Sequence, residues 1–414
     1  MSNISDNKNF LWGAATSAHQ VEGGNHNDWS AWELQNAQRL AREFESKFDG
    51  FPSWTRIKDE ATNPKNYISG IACDHYHRFR EDFDIAKQLG HNAHRFSIEW
   101  SRIEPEEGKF DDREIEHYRE VIRALRERGI EPFVTLWHWA VPIWFQEKGG
   151  WLQPRASQYF GRFVERMAKE FGSEVKFWCT LNEPIVFLSY GYGAGIRPPQ
   201  QKSIWQIIRV FHRLAAGHRR AYRILHRIAE LNKWECAVGI AKHNKWFVAG
   251  DRTLKNLLLA AAVRFLWNDA FMLHIRWHQD YVGLNYYNKN VINFGWSRPR
   301  KGLYNLETSA QGFYRSIKDL ARYGKPVYIL ENGIDDPEDS LRPQFIKDHI
   351  AAMHKAMQEG VDVRGYFHWS LLDNFEWENG FWPRFGLVDV DRKTLERNIR
   401  PSAWEYKKTI DKGL

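Results

Sequence analysis

Short apolar segments alternate along the chain with longer amphipathic segments that carry charged residues four positions apart. Eight apolar segments have the length and composition of buried strands. They are residues 10–15, 92–98, 132–138, 175–182, 237–241, 281–285, 327–331 and 363–369. The clearest helical segments between them are residues 74–89, 113–128, 156–171, 204–231 and 344–359. Strand–helix alternation repeated eight times is typical of a (β/α)₈ barrel.

Glycines stand where several of these helices are predicted to end. Gly90, Gly129, Gly172 and Gly360 each follow a helical segment, and glycine ends helices readily because it adopts the left-handed conformation. The sequence has no linker rich in Pro, Gly or Ser, no low-complexity tract and no internal repeat. We therefore predict an α/β fold with one (β/α)₈ (TIM) barrel domain over residues 1–414. An open doubly wound sheet is the structural alternative, although no glycine-rich phosphate loop follows the first strand.

The composition suits a large core with many aromatic rings. The chain has 414 residues, of which 43% are hydrophobic, and it contains 20 Trp, 26 Phe and 16 Tyr. Several tryptophans stand in loop-like, polar surroundings: Trp29, Trp54, Trp151, Trp377 and Trp382. Such rings could stack on the apolar face of a sugar, although core packing is the simpler interpretation for any one of them.

The formal charge is +7, and the positive excess is local. Residues 197–227 contain eight basic residues and no Asp or Glu: Arg197, Lys202, Arg209, Arg213, Arg219, Arg220, Arg223 and Arg227. Such a segment can bind phosphates or an anionic membrane, but a solvated helix face is the simpler interpretation. We therefore expect no nucleic-acid partner and no membrane partner, and the sequence does not indicate an oligomeric state.

The cysteine pattern favours a reducing compartment. Cys73, Cys179 and Cys236 are odd in number and form no CxxC pair, so neither a disulfide framework nor a zinc site is expected. Residues 1–8 are polar and lack the pattern of a signal peptide. The most apolar run, residues 257–263, is too short to span a membrane. We expect a cytoplasmic protein with no metal and no cofactor.

Two glutamates follow apolar strands in nearly identical settings. Glu183 ends the strand of residues 175–182, and Glu331 ends the strand of residues 327–331. Glycosidic bond cleavage needs two such acids, one to protonate the leaving group and one to attack or to activate water. A single acid at a strand end usually marks only the end of the strand, so the pair carries the argument.

The other strand ends are also polar. In a (β/α)₈ barrel the active site lies at the carboxyl ends of the strands. The residues found at or after those ends are Gln20, Glu22, Arg95, His138, Trp139, Asn182, His243, Asn244, Asn285, Tyr286, Tyr287 and Trp369. Almost every strand thus ends in a side chain that can bond a hydroxyl or support a carboxylate.

Six segments of the chain match one family jointly and in order. They are residues 10–16, 95–103, 180–184, 330–333, 369–377 and 384–387. On these motifs the chain resembles the glycoside hydrolase family 1 β-glycosidases from about residue 10 to residue 406.

The resemblance implies a role for each matching residue. Glu183 resembles the general acid/base of the family and Glu331 its nucleophile. Arg95 and Tyr287 resemble the partners of the nucleophile, with Asn285 nearby. The groups that would bind the sugar are Gln20, His138, Trp139, Asn182, Trp369, Glu376 and Trp377, with Trp369 as the stacking platform.

The resemblance also implies a reaction. The expected activity is that of a retaining exo-β-glycosidase, which removes terminal β-D-glycosyl residues (glucose, or galactose or fucose) by double displacement, with carboxyl groups about 5–5.5 Å apart. The expected partners are small β-glycosides or oligosaccharides. A transglycosylase on the same site and a non-catalytic sugar-binding barrel are the alternatives. The connections after residues 244, 287 and 331 are short for the family, which affects the leaving-group side of the cleft.

Overall fold

The computed structural model describes residues 10–48, 54–294 and 308–413. The polar start, from which no signal peptide was expected, lies outside these residues. Eight parallel strands form a closed barrel in the order of the chain, and β1 closes the barrel by pairing with both β2 and β8. The strands are β1 Leu11–Ala15, β2 Ala93–Ser97, β3 Glu131–Thr135, β4 Phe177–Asn182, β5 Ala237–Ala249, β6 Val282–Ile292, β7 Val327–Asn332 and β8 Val363–Trp369. The predicted (β/α)₈ barrel is confirmed.

Helices surround the barrel and fill most of the connections between strands. The α-helices are α1 Ala18–Val21, α2 Asp28–Phe48, α3 Trp54–Ala61, α4 His75–Gln88, α5 Trp100–Ile103, α6 Asp112–Glu127, α7 Ile143–Glu147, α8 Ala156–Phe171, α9 Pro184–Phe187, α10 Ile204–Asn232, α11 Leu254–Arg264, α12 Ala270–Ile275, α13 Ala310–Leu320, α14 Arg342–Gln358 and α15 Pro401–Lys412. Short 3₁₀ segments occur at Pro64–Tyr67, Gly150–Leu152, Ala321–Tyr323 and Trp377–Asn379, and π-helical turns at Leu188–Ala194 and Phe265–Asp269. A two-stranded antiparallel ribbon, β9 Val388–Val390 and β10 Arg397–Ile399, follows the barrel.

Glycine ends the predicted helices for two different reasons. Gly90, Gly129 and Gly360 have φ of 78°, 67° and 92°, which is the left-handed region that favours glycine. Gly172 instead continues the right-handed helix, with φ −62° and its N–H bonded to the carbonyl oxygen of Ala168. A Cβ atom on Gly172 would lie 2.6 Å from the ring of Trp234. Glycine is needed there because the Ala168 carbonyl oxygen, at 2.5 Å, and the indole leave no space for a side chain.

Strands β5 and β6 are longer than the apolar pattern predicts. The segments predicted at 237–241 and 281–285 continue to Ala249 and Ile292, and their continuations pair with each other, from Trp246 with Lys289 to Ala249 with Ile292. Charged and polar residues interrupt the apolar runs at residues 242–245 and 288–290, which hid the extension. The two strands therefore project beyond the carboxyl end of the barrel.

An aromatic layer fills the inside of the barrel below the polar strand ends. Phe133, Phe177, Tyr281, Tyr328 and Phe367 form one buried cluster, in which the rings of Phe133 and Phe177 stack with centroids 5.2 Å apart. Four of these residues lie in β3, β4, β7 and β8, and Tyr281 directly precedes β6. The layer is a rigid apolar floor, because close-packed rings resist displacement.

The tryptophans found in polar stretches are also buried. Trp29, Trp54, Trp151, Trp377 and Trp382 all belong to the core, as the simpler interpretation expected. Trp377 differs from the others because it also packs against residues at the strand ends, as described below.

Candidate active site

Strands β4 and β7 place the two candidate glutamates at the rim of the barrel, with β6 beside β7. Glu331 lies in β7 and stands opposite Asn285 of β6 in the strand register. Glu183 follows β4 directly, and its backbone N–H donates to the carbonyl oxygen of Ala241, 2.8 Å away. Glu183 has φ 46°, a left-handed conformation that is uncommon for a residue with a side chain. Strain of this kind is often found where a side chain must point to a particular place.

Glu331 is a buried carboxylate with a partner for each oxygen. Arg95 Nη1 donates to Glu331 Oε1 at 2.5 Å, and the Tyr287 hydroxyl donates to Oε2 at 2.6 Å. Burial acts to lower the pKa of the Arg95 guanidinium, but the Glu331 carboxylate outweighs it and the pKa is raised. The charges of this pair thus stabilise each other in a site that excludes most water.

Glu183 is in the opposite electrostatic situation. Asn285 Nδ2 donates to its Oε1 at 2.9 Å, and no ion pair is formed with it among the described residues. Burial, together with the negative charge of Glu331, raises the pKa of Glu183 to about 8, although Asn285, Arg197 and Arg95 oppose the shift. Glu183 is therefore protonated at neutral pH.

Asn182 connects the two glutamates through a hydrogen-bonded network. Its Oδ1 accepts from Arg95 Nη2 at 2.7 Å and from Asn285 Nδ2 at 3.3 Å. Because Arg95 binds Glu331 and Asn285 binds Glu183, one amide fixes both carboxyl groups relative to each other. Four strands, β2, β4, β6 and β7, thus share one set of bonds.

His138 presents a nitrogen to the site. Asn182 Nδ2 donates to its Nε2 at 2.9 Å, while Nδ1 is buried without a hydrogen-bond partner among the described residues. Burial keeps the pKa of His138 well below its usual value, so the ring is neutral. Since Nε2 accepts, the proton lies on Nδ1.

Trp369 and Glu376 form a second polar corner. Trp369 Nε1 donates to Glu376 Oε1 at 3.2 Å, and both side chains are buried. Burial raises the pKa of Glu376 to about 8, although the bond from Trp369 opposes the shift. Glu376 is therefore a neutral acid at pH 7 and can both donate to and accept from hydroxyl groups.

Aromatic rings line the same side of the site. The rings of Trp139 and Trp377 lie 4.7 Å apart, and Trp377 stacks on His19 at 5.4 Å. Trp139 also donates from Nε1 to the carbonyl oxygen of Asn182 at 3.1 Å. His138 lies 5.9 Å from Trp377, so the candidate sugar-binding residues form one wall.

Gln20 supports the sugar-binding wall through hydrogen bonds to the loop that carries Glu376 and Trp377. Its side chain is fully buried, accepts from the Ser17 hydroxyl at 2.7 Å, and donates to Asn374 Oδ1 and to the carbonyl oxygen of Phe375. Both amide hydrogens of Gln20 therefore hold the loop that precedes Glu376. A ligand hydroxyl can reach only the remaining lone pair of Gln20 Oε1.

Arg197 is a site residue that the sequence pattern did not single out. It forms an ion pair with Glu378 at 2.6 Å and lies over the rings of Trp139 and Tyr190, 4.6 Å and 4.5 Å from their centroids. Its charge also acts to lower the pKa of Glu183. In the sequence Arg197 belonged to the basic segment 197–227, and nothing there distinguished it from the exposed arginines.

Lys245 is a second site residue that the sequence pattern did not single out. Its ammonium group lies 4.2 Å from the centroid of the Trp267 ring. Burial lowers the pKa of Lys245 to about 8, and the nearby Glu183 opposes the shift. The extension of β5 carries Lys245 to the site, and a predicted strand that ended at residue 241 could not place it there.

Residues outside the site carry no sign of a metal centre. Across the described ranges, no group of three or more His, Cys, Asp or Glu side chains is placed to hold a metal ion. Cys73, Cys179 and Cys236 are free thiols.

The arrangement combines an acid, a nucleophile and a binding wall. Glu331 is a buried carboxylate held by a cation and a phenol, and Glu183 is a neutral acid attached to the same network. Two carboxyl groups whose environments push their protonation states apart are the usual sign of paired acid and nucleophile roles. The structure thus brings together the twelve residues to which the family resemblance assigns a role.

Comparison with known proteins gives the family. The model of "Glycosyl hydrolase family 1" matches residues 4–297 and 296–413. The chain is 32% identical to Beta-glucosidase A of Thermotoga maritima, over 97% of this chain and 96% of that protein. It is 31% identical to Beta-glucosidase 42 of Arabidopsis thaliana, over 97% of this chain and 93% of that protein.

Solved structures agree with the sequence relatives. A beta-glycosidase from Pyrococcus horikoshii superposes with a TM-score of 0.85 and 33% identity, covering 99% of this chain and 96% of that one. The beta-glucosidase from Thermotoga maritima in complex with glucoimidazole superposes with a TM-score of 0.81 and 29% identity, with 98% of each chain covered. The resemblance seen in the motifs is confirmed, and the chain belongs to glycosyl hydrolase family 1 as a glycoside hydrolase of the β-glycosidase type.

Proposed function

We propose that the protein is a retaining exo-β-glycosidase in which Glu331 is the nucleophile and Glu183 the general acid/base. The observation that carries the proposal is the contrast between the two carboxyl groups. Arg95 and Tyr287 bind both oxygens of Glu331, whereas Glu183 receives one bond from Asn285 and has a raised pKa. Attack requires an ionised group and leaving-group protonation requires a neutral one.

The first step forms a covalent glycosyl-enzyme. A Glu331 oxygen attacks the anomeric carbon, the glycosidic bond breaks, and Glu183 gives its proton to the departing oxygen. Glu331 loses its charge as it becomes an ester. The charge that raised the pKa of Glu183 is then gone, so the pKa of Glu183 falls and it remains ionised. In the second step it takes a proton from water, which attacks the same carbon and releases Glu331.

Glucose is the sugar we propose. The relatives are named beta-glucosidases, and the Thermotoga maritima enzyme has been solved with glucoimidazole, isofagomine lactam and deoxynojirimycin. In this chain the neutral Glu376 can both donate to and accept from a sugar hydroxyl. Galactose differs from glucose in the C4 configuration, and fucose differs in the C4 configuration and lacks the C6 hydroxyl, so the same wall could accept both sugars.

We also propose a cytoplasmic location, supported by the three free cysteines. Protein isolated from its natural host in the presence of a thiol-blocking reagent should contain three reactive thiols on unfolding. A smaller number would indicate oxidation and a different compartment.

Retention of the anomeric configuration is the direct test of the proposed reaction. Double displacement inverts the anomeric carbon twice, so the first sugar released from an aryl β-glucoside should be the β anomer. Proton NMR during the first minutes of hydrolysis distinguishes the anomers before mutarotation mixes them. An α product at the earliest time would rule out the covalent intermediate.

The pH dependence follows from the pKa of Glu183. The acid form is required in the first step, and its pKa is raised to about 8. We therefore expect kcat/KM for an alkyl β-glucoside, a substrate with a poor leaving group, to fall as the pH rises through about 8. A substrate whose leaving group needs no proton is the control and should show a weaker alkaline limb. Identical alkaline limbs for both substrates would assign that limb to another group.

A further inference from the structure

The outer layer of the barrel includes an unusually apolar helical run. Leu254–Ile275 comprises α11, the π-helical turn and α12, and in length and composition it is apolar enough to cross a membrane. Residues 257–263, the apolar run seen in the sequence, are by themselves too short to span a membrane, whereas the helical run is 22 residues long. Only 33% of an apolar 18-residue stretch within this run is buried.

Six of the ten exposed residues of this run are large and hydrophobic. Leu254 is 71% exposed, Leu266 is 63% exposed, and Trp277, just beyond the run, is 77% exposed. The other exposed apolar side chains here are Leu257, Leu258, Phe265 and Leu273. A barrel helix normally hides its apolar stripe and shows a polar one, so this run shows apolar residues where solvent is expected.

The first two turns of α10 continue the same surface. Ile204, Trp205 and Ile208 are exposed, and Ile208 lies one turn before His212 on the same helix face. The ring of His212 lies 5.4 Å from His274 of α12, which adjoins Leu273. We define the apolar surface as Ile204, Trp205, Ile208, Leu254, Leu257, Leu258, Phe265, Leu266, Leu273 and Trp277. It contains ten of the seventeen large apolar side chains that are exposed in the described residues.

Positive charge accompanies the apolar surface. Arg209, Arg252, Lys255 and Arg276 are exposed around it. Residues 204–227 contain no acid, and Asp269 is the only acid in residues 252–277. Asp269 is buried and forms an ion pair with Arg322, so it does not offset the exposed cations.

We propose that the apolar surface docks this protein on a membrane that contains anionic lipids. Apolar side chains would enter the boundary between headgroups and acyl chains, and the surrounding cations would face the lipid phosphates. Trp205 and Trp277 suit this boundary because indole combines an apolar ring with an N–H. The proposal replaces the sequence-based expectation that no membrane partner exists.

Charge favours lipid over a second copy of the chain. A two-fold contact presents the same patch on both subunits. Pairing this surface with itself would bring together two sets of exposed cations, and within residues 251–277 the only exposed acid is Asp251. An anionic bilayer supplies the missing negative charge.

The run lies on the bilayer in this proposal and does not cross it. Its inner side is attached to the barrel, since Asn268 bonds both the backbone N–H and the backbone carbonyl of Lys245, and Asp269 binds Arg322. Insertion would break these bonds inside hydrocarbon, where nothing replaces them. Trp267 of the same run faces Lys245 and His243, so docking would place the leaving-group side of the candidate site near the lipid.

Vesicle co-sedimentation of the purified full-length protein tests the proposal. Binding is measured to phosphatidylcholine vesicles and to mixed phosphatidylcholine–phosphatidylglycerol vesicles, at low salt and at about 1 M salt. We expect binding to the anionic vesicles that weakens in high salt. The pair Leu258→Gln/Leu266→Gln should reduce the partition coefficient by about tenfold or more. The pair Lys255→Gln/Arg276→Gln should reduce it by about fivefold for each charge removed.

Matched controls use exposed residues outside the apolar surface. Leu34→Gln/Leu231→Gln changes two leucines of similar exposure, and Arg123→Gln/Arg155→Gln removes two charges elsewhere. Both control pairs should bind vesicles like the parent protein. Circular dichroism checks the fold of every variant, and Trp277→Gln, outside α11 and α12, is the alternative if a double variant does not fold.

Three outcomes would overturn the proposal. They are absence of binding to either vesicle type, equal losses in the surface and control variants, and a dimer in light scattering that Leu258→Gln/Leu266→Gln dissociates. The last outcome would assign the surface to a second copy. Because the readout is vesicle binding, the result is independent of the proposed glycosidase activity.

Discussion

Glu331→Ala is expected to lower kcat by roughly 10⁴-fold or more, because no other group can form the covalent intermediate. The space left by the carboxylate should admit azide. Azide attack inverts the anomeric carbon once, so turnover of an activated aryl β-glucoside should recover in part and give the α-glycosyl azide. Rates with and without azide, together with the NMR spectrum of the product, measure both effects.

Loss of the charge also affects stability, which the experiment must separate from catalysis. Glu331→Ala leaves the guanidinium of Arg95 buried without its carboxylate, and breaking a buried pair costs about 3–5 kcal/mol. Thermal unfolding shows whether the variant is folded at the assay temperature. Glu338→Ala, an exposed residue in the loop after β7, is the matched control and should keep full activity. Undiminished turnover in folded Glu331→Ala protein would exclude Glu331 as the nucleophile.

Glu183→Ala is expected to have an effect that depends on the leaving group. Poor leaving groups need the proton of Glu183, and its removal should lower kcat/KM for them by about 10²–10⁴-fold. Activated leaving groups depart unaided, so their kcat/KM should fall much less, while the second step becomes slow because no base activates water. A burst of released phenol followed by slow turnover should therefore appear.

Azide distinguishes the two roles in this variant. Azide needs no base, so it should speed breakdown of the glycosyl-enzyme and give the β-glycosyl azide after two inversions. Glu147→Ala, an exposed residue of α7, is the control and should change neither the leaving-group dependence nor the product. If Glu183→Ala yielded the α-azide and Glu331→Ala the β-azide, the two assignments would have to be exchanged.

Glu183 and Glu331 could be predicted together from the sequence because a barrel imposes a simple geometry. Parallel strands that close into a barrel end at the same rim, so residues at the ends of strands far apart in the chain must meet. The alternation of strands and helices therefore predicted the rim, and the motif resemblance identified the residues on it. This reasoning needs only the positions of strand ends, which apolar runs mark well.

The protonation states at the rim depended on neighbours that only the fold supplies. Arg95 and Glu331 are 236 positions apart, and only the fold brings the guanidinium to the carboxylate. Burial beside that charge decides that Glu183 is the neutral one. Such effects require distances between side chains, which no local pattern contains.

Other features also required the tertiary structure. Lys245 reaches the site because β5 pairs with β6 beyond the apolar run, and cross-strand pairing can extend a strand through charged residues. Gly172 has ordinary helical dihedral angles, and a Cβ atom there would collide with the Ala168 carbonyl oxygen and with the Trp234 ring. The exposure of Leu254–Ile275 could not be predicted from the sequence either. An apolar run predicts burial, and only the packing of the surrounding elements shows that these side chains remain exposed.

The sequence alone therefore determined the barrel, the rim and the identity of the groups gathered on it, since these follow from periodicity and strand order. The tertiary structure decided which carboxyl group holds a proton, which cations approach it, and which apolar side chains remain in solvent. Periodicity reflects interactions between residues a few positions apart. Electrostatics and exposure depend on residues that lie close in space and far apart in the chain.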